Sequence, residues 1–140
     1  MKKYIILIGI FAVLQASCLS KIKVQKEETN VYSNASFDAV WAAALKSVAE
    51  MGYELKEQDK KKGKNLPTFR EQVGYIYAKG NRKLLSMNQA PQLKITIRRA
   101  ENRVSVLCQV IQPGQFIDYG NTGKTIKEFF GRLNKALGSP

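Results

Sequence analysis

Apolar residues recur at every third or fourth position in two stretches of this chain, and at every second position in several others. Phe37, Val40, Trp41, Ala44, Leu45 and Val48 follow helical spacing and predict an amphipathic helix with one apolar face. Ser36 stands where a side-chain oxygen caps such a helix, and Asp38 lies in the first turn, where the helix dipole favours negative charge. Met51-Gly52 ends it, glycine being the residue that tolerates a left-handed C-terminal conformation. Asn34-Ala35-Ser36 matches a glycosylation acceptor but reads here as the approach to the helix cap. A second helix is predicted from Ile126, Phe129, Phe130, Leu133 and Leu137, ending at Gly138.

The period-two segments predict strands. Lys21 to Val31 alternates weakly, through Ile22 and Val24, and reads as an edge strand with charged ends. Tyr53 to Glu57 resumes the alternation, and Lys60 to Pro67 reads as a loop. Val73, Tyr75 and Tyr77 share one face of a third strand, taken as its core face. Leu93, Ile95 and Ile97 alternate with Lys94, Thr96 and Arg98, the pattern of an antiparallel strand with one wet face. Ala100-Glu101-Asn102 turns the chain into a last strand, Val104–Ile111, on which Cys108 shares a face with Val104, Val106 and Val110. Pro113 to Gly123 reads as a Gly-rich loop. The order is β-α-β-β-β-β-α: an α+β domain whose antiparallel sheet has one face covered by two helices, the other face being solvated.

The N-terminus follows a different pattern. Lys2-Lys3 precedes an uncharged run of 11 residues, Tyr4 to Leu14, and Gln15-Ala16-Ser17-Cys18 closes it. A basic start, a short apolar run and a small-residue exit read as a secretory signal. The run is too short for a membrane span, which takes about 20 apolar residues. The exit resembles the lipobox of bacterial lipoproteins, and that resemblance implies cleavage before Cys18 and acylation of its thiol. The alternative is ordinary cleavage, with Leu14 and Ala16 as recognition positions and Ser17 as the new end. The predicted organisation is a signal over residues 1–17, a short lipidated tether over 18–21, and one domain over 22–140.

The packing positions carry a second resemblance. Ser36-Phe37-Asp38, Val40-Trp41 and Ala44-Leu45, then Gly52-Tyr53, Asp59 and Gly63, and finally Phe129, Leu133 and Leu137 resemble the helix-grip-like domains of small envelope lipoproteins, among them a lipoprotein component of the outer-membrane β-barrel assembly machinery. That resemblance implies the fold and does not specify an activity.

Charge narrows the partners. The chain has 23 Lys+Arg and 11 Asp+Glu; with Lys2 and Lys3 removed, 21 face 11, a net +10. Such a surface favours anionic lipids, anionic polymers or acidic proteins, and export removes nucleic acid from consideration. The basic run Lys60, Lys61, Lys62 and Lys64 is a candidate anion-binding loop, with Arg82-Lys83 and Arg98-Arg99 as candidate companions. Lys124, at the start of the second helix, is a further candidate because free backbone amides there hold a phosphate or carboxylate. The plain reading of that segment is a connector with Asn121 or Thr122 as cap. Asp118 to Thr125 ends in Gly-Lys-Thr like a P-loop, but Asp118 stands where a phosphate loop needs glycine.

Catalytic chemistry has little to work with. The chain has no histidine, which excludes Ser-His-Asp and Cys-His catalysis and the usual zinc sites. Its acids are scattered, Cys108 reads as a buried apolar residue and Trp41 as a core anchor. The expected function is that of a non-catalytic envelope lipoprotein without cofactor or metal, anchored through Cys18. Leu19, rather than Asp, after Cys18 points to the outer membrane, facing the periplasm. The domain would bind an envelope protein or anionic polymer through its open sheet face or basic loops. The alternative is a lipid or small apolar ligand carrier, its pocket lined by Val73, Tyr75 and Tyr77 with Phe129 and Phe130.

Overall fold

The computed structural model describes residues 23–62, 72–80, 90–113 and 120–138. The predicted leader, tether and Cys18 lie outside them, as do Gly63, Lys64, Arg82, Lys83 and Asp118. Five strands and two helices follow one another as β1 (Lys23–Tyr32), α1 (Phe37–Glu50), β2 (Glu54–Lys62), β3 (Gln72–Lys79), β4 (Gln92–Ala100), β5 (Arg103–Pro113) and α2 (Asn121–Ala136). The strands form one antiparallel sheet of order β1-β5-β4-β3-β2. Strands β2 to β5 are a meander, and β1 closes on the last strand, so α1 carries the chain from one edge of the sheet to the other. The α+β order expected from periodicity is the order observed.

Local chemistry sets the helix limits. The Ser36 side chain accepts a hydrogen bond from the Ala39 N–H at 3.1 Å, as its position predicts. At the other end Gly52, at φ 78°, donates to the Ala49 carbonyl and Tyr53 to that of Val48. This pair of bonds closes the last turn and turns the chain into β2. The start of α2 differs from expectation: its cap is Gly120, left-handed at φ 83°, rather than Asn121 or Thr122. A glycine takes that backbone without the strain a side chain would incur.

Both helices lie on the same face of the sheet. α1 packs on β2, β3 and β4, and α2 on β5 and β1. The core between them holds Phe37, Val40, Trp41, Ala44 and Val48 from α1, and Ile126, Phe129, Phe130 and Leu133 from α2. The sheet contributes Ile76, Ala78, Leu93, Ile95, Ile97, Val104, Val106, Cys108 and Val110. The alternation read in β4 and β5 is therefore correct, and Cys108 is fully buried among the valines. Ser47, also buried, donates to the Ala43 carbonyl at 2.7 Å, which satisfies its hydroxyl within the helix. Tyr32 at the end of β1 donates to Asn134 Oδ1 at 2.7 Å and ties the edge strand to α2.

Two expectations for the strands also fail. β2 does not stop before Lys60. Lys60, Lys61 and Lys62 pair in register with Gly74, Val73 and Gln72, so the run expected as a loop is the end of an edge strand. Charged residues suit an exposed edge because they discourage pairing with another chain. The face of β3 is also reversed. Gly74, Ile76 and Ala78 point to the helices, while Val73 and Tyr77 are half-buried and Tyr75 is exposed on the other side. The cause is the close approach of α1. A Cβ at Gly74 would overlap the Trp41 ring, 2.7 Å from Cε3 and 3.2 Å from Phe37 Cζ. Those two rings stack at 6.2 Å, and only a glycine leaves room for them.

Gly74→Ala therefore reports on this packing. In an open strand interior alanine is the better residue, yet here it should destabilise by about 1–3 kcal/mol through overpacking. Urea unfolding monitored by Trp41 fluorescence measures it, and an unchanged or raised midpoint would contradict the observed β3 register.

Candidate functional site: the uncovered sheet face

The side of the sheet away from the helices has no covering element among the described residues. Its composition follows from the register. Tyr75 pairs with Thr96, Thr96 with Leu107, and Leu107 with Thr29, giving one cross-strand row. A neighbouring row runs Tyr77, Lys94, Gln109 and Glu27, and another Val73, Arg98, Ser105 and Val31. Antiparallel partners project on the same side, so these rows form one surface.

That surface is part aromatic and part charged. Tyr75 is 45% exposed and Val31 56%. The Lys94 ammonium sits 5.8 Å from the Tyr77 ring centroid, and Gln109 donates to Glu27 at 2.9 Å. Acids and bases are interleaved: Glu27, Glu54, Glu57 and Asp59 share the face with Lys79, Lys94, Arg98 and Arg103, and Lys23 and Lys61 fall on the same register parity. The surface is thus mixed, with Tyr75 exposed on β3 and Val31 exposed on the edge strand β1.

The basic candidates do not converge. Lys60 lies on the helix side, ion-paired with Asp38, its Nζ 5.7 Å from the Phe37 ring centroid. Lys61 and Lys62 end β2. Lys124 is exposed in the first turn of α2, next to Gly123, whose Cβ position lies 3.1 Å from Lys26 Nζ on β1. β1 and β2 are opposite edges, four strand spacings or about 19 Å apart. Lys60 and Lys124 therefore belong to different places. Arg98 and Arg99 point to opposite sides of β4, opposite Val73 and Gln72 respectively.

The proposed pocket lining is likewise divided. Val73, Tyr75 and Tyr77 lie on the outer face, whereas Phe129 and Phe130 are buried under the helices, edge-to-face at 5.2 Å. An open polar cleft of about 640 Å³ lies between the helices, lined by Lys46, Glu50, Glu128, Gly131, Arg132, Lys135 and Ala136. Arg132 joins its walls, bonding Glu128 at 3.1 Å and Glu50 at 3.4 Å. Sequence reasoning missed this cleft, and no motif announces it: the residues are ordinary surface charges until α1 and α2 meet.

Burial controls the perturbed groups. Burial pushes the Cys108 thiol up to about 12, with a smaller contribution from the Glu28 charge, so it stays a neutral thiol. Tyr53 is raised by burial too, an effect opposed by its hydrogen bond with Thr125 and reinforced by Cys108 and Glu128. Tyr32 is raised by burial and lowered in part by hydrogen bonding with Asn30. No group of three or more potential metal ligands occurs among the described residues.

No family model matches the sequence, and no curated protein matches it significantly. Solved structures match it at low identity and at TM-scores below 0.5. Ara h 8.0201 is 9% identical over 84% of this chain and 100% of its own, at TM-score 0.48. Norcoclaurine synthase from Thalictrum flavum, in complex with dopamine and hydroxybenzaldehyde, is 10% identical over 85% and 88%, at 0.43. A hypothetical protein of Helicobacter pylori is 11% identical over 86% and 89%, at 0.42. At these values the likeness concerns chain arrangement alone.

The buried thiol gives a pH prediction with a definite sign. Its folded pKa is raised from 9.0 to about 12, so its contribution to stability is complete below pH 9 and is lost as pH rises towards 12. Urea midpoints should fall across that window, and Cys108→Ala should flatten the decline. A decline of equal slope in the variant would assign the effect elsewhere. In the folded protein an alkylating reagent at neutral pH should leave Cys108 unmodified.

Proposed function

We propose that this chain is a non-catalytic lipoprotein of the bacterial envelope, anchored through Cys18 in the outer membrane and facing the periplasm, and that it binds an envelope protein with its uncovered sheet face. The observation that carries the binding role is the stripe of Val73, Tyr75 and Tyr77 on β3, with Leu107 and Val31 further across the same face, which no helix among the described residues covers. Aromatic side chains with a polar tip supply much contact area at small entropic cost, which is why they concentrate at binding surfaces. The interleaving of acids with bases on this face favours a protein over an anionic polymer, for which a uniformly basic surface is the better match. The anchor rests on the sequence of residues 1–18. The buried, neutral Cys108 supports a binding role over one in thiol catalysis.

The test compares the two sides of the domain in the living host. A photo-crosslinking residue at position 75 should give a discrete adduct with a protein partner. The same residue at position 42, exposed on α1, should not. Tyr75→Asp combined with Leu107→Asp should abolish association, while each substitution at a partly exposed site changes stability by only about 1 kcal/mol or less. Adducts arising from position 42 and not from 75 would reject the sheet face as the binding surface.

A further inference from the structure

The solvent side of α2 is basic along its length. Lys124, Lys127 and Lys135 are all exposed. At about 100° per residue, Lys124, Gly131 and Lys135 fall within roughly 20° of one line, with Lys127 about 60° to its side. The acid of this helix, Glu128, is bonded to Arg132, which also reaches Glu50 of α1. Among the described residues no acid pairs with Lys124, Lys127 or Lys135. Four bases against one acid leave α2 with a net positive face, whereas the uncovered sheet face interleaves its bases with four acids.

The entry of the chain brings this face close to the anchor. Lys26 of β1 lies against Gly123, so β1 starts beside the N-terminal end of α2. Five residues lead from Cys18 to Lys23, a reach of about 17 Å at most. α2 itself is about 24 Å long. A domain tethered that closely stays within its own dimensions of the bilayer, and the tether alone reaches either side of the sheet. Charge decides between them: juxtamembrane lysines are drawn to anionic headgroups within a Debye length.

We propose that α2 lies along an anionic lipid surface, with Lys124, Lys127 and Lys135 against the headgroup phosphates and the uncovered sheet face turned away from the membrane. This rests on the anchored reading of Cys18. It gives the two sides of the domain separate tasks, the helix side orienting the protein and the sheet side remaining open to a partner.

The test is trace amine labelling of the mature protein, purified from its host and placed in vesicles of phosphatidylcholine alone or enriched in phosphatidylglycerol. Labelling of Lys124, Lys127 and Lys135 should fall about threefold or more on the anionic vesicles and recover at about 1 M salt, where charge is screened within ~3 Å. Labelling of Lys79 and Lys94, on the sheet side, should not change. Equal labelling of the α2 lysines on the two vesicle types, or protection of Lys79 and Lys94 instead, would overturn the orientation. The anchor is read separately: an unacylated chain leaves the neutral vesicles, whereas an acylated chain that lies the other way stays bound.

Discussion

The contact of Trp41 with Gly74 is the constraint on which the rest of the arrangement depends. α1 can lie close to β3 only where the strand has no side chain, and the stacked Phe37 and Trp41 rings occupy that space. Because strand side chains alternate, placing Gly74 under the helix also places Ile76 and Ala78 in the core and turns Val73, Tyr75 and Tyr77 outward. The ladder transmits this parity through β4 to β5, where Thr96 and Leu107 join the same outer face. One close approach thus determines both the buried core and the composition of the opposite surface.

Much of the fold is legible in the sequence because its signals are local. Ser36 caps α1, Gly52 ends it, and the Leu93-Ile95-Ile97 alternation names a strand and its buried side. Cys108 could be placed among the valines by parity alone. β3 could not be read that way, because both of its faces carry apolar residues and the larger ones lie outside. Hydrophobic weight favoured Val73, Tyr75 and Tyr77, while steric room under Trp41 favoured Gly74, Ile76 and Ala78, and sterics prevailed. The interruption of an apolar run by Gly74 was the one available signal, since a strand glycine often marks a close approach.

The basic run was misread for a related reason. Lys60, Lys61 and Lys62 are adjacent in sequence, but a strand sends neighbours to opposite faces. Lys60 therefore meets Asp38 and Phe37 on the helix side, while the register sets Lys61 opposite Val73 of the outer face. A cluster in sequence becomes three separate positions along an edge. Conversely, the lysines of α2 are spread over 12 residues and become one ridge because the helix brings them round to one side. The charge that matters for a surface is the charge that secondary structure gathers, not the charge that neighbours share along the chain.

In the proposed account both faces acquire their meaning from a short tether to a membrane, so the anchor is the element to measure. Intact mass and the N-terminal peptide of the mature protein, isolated from its own host, decide it. The expected result is a chain that begins at Cys18 and carries the added mass of acyl chains. A chain that begins at unmodified Ser17 would contradict the anchored account and describe a secreted module free of the membrane.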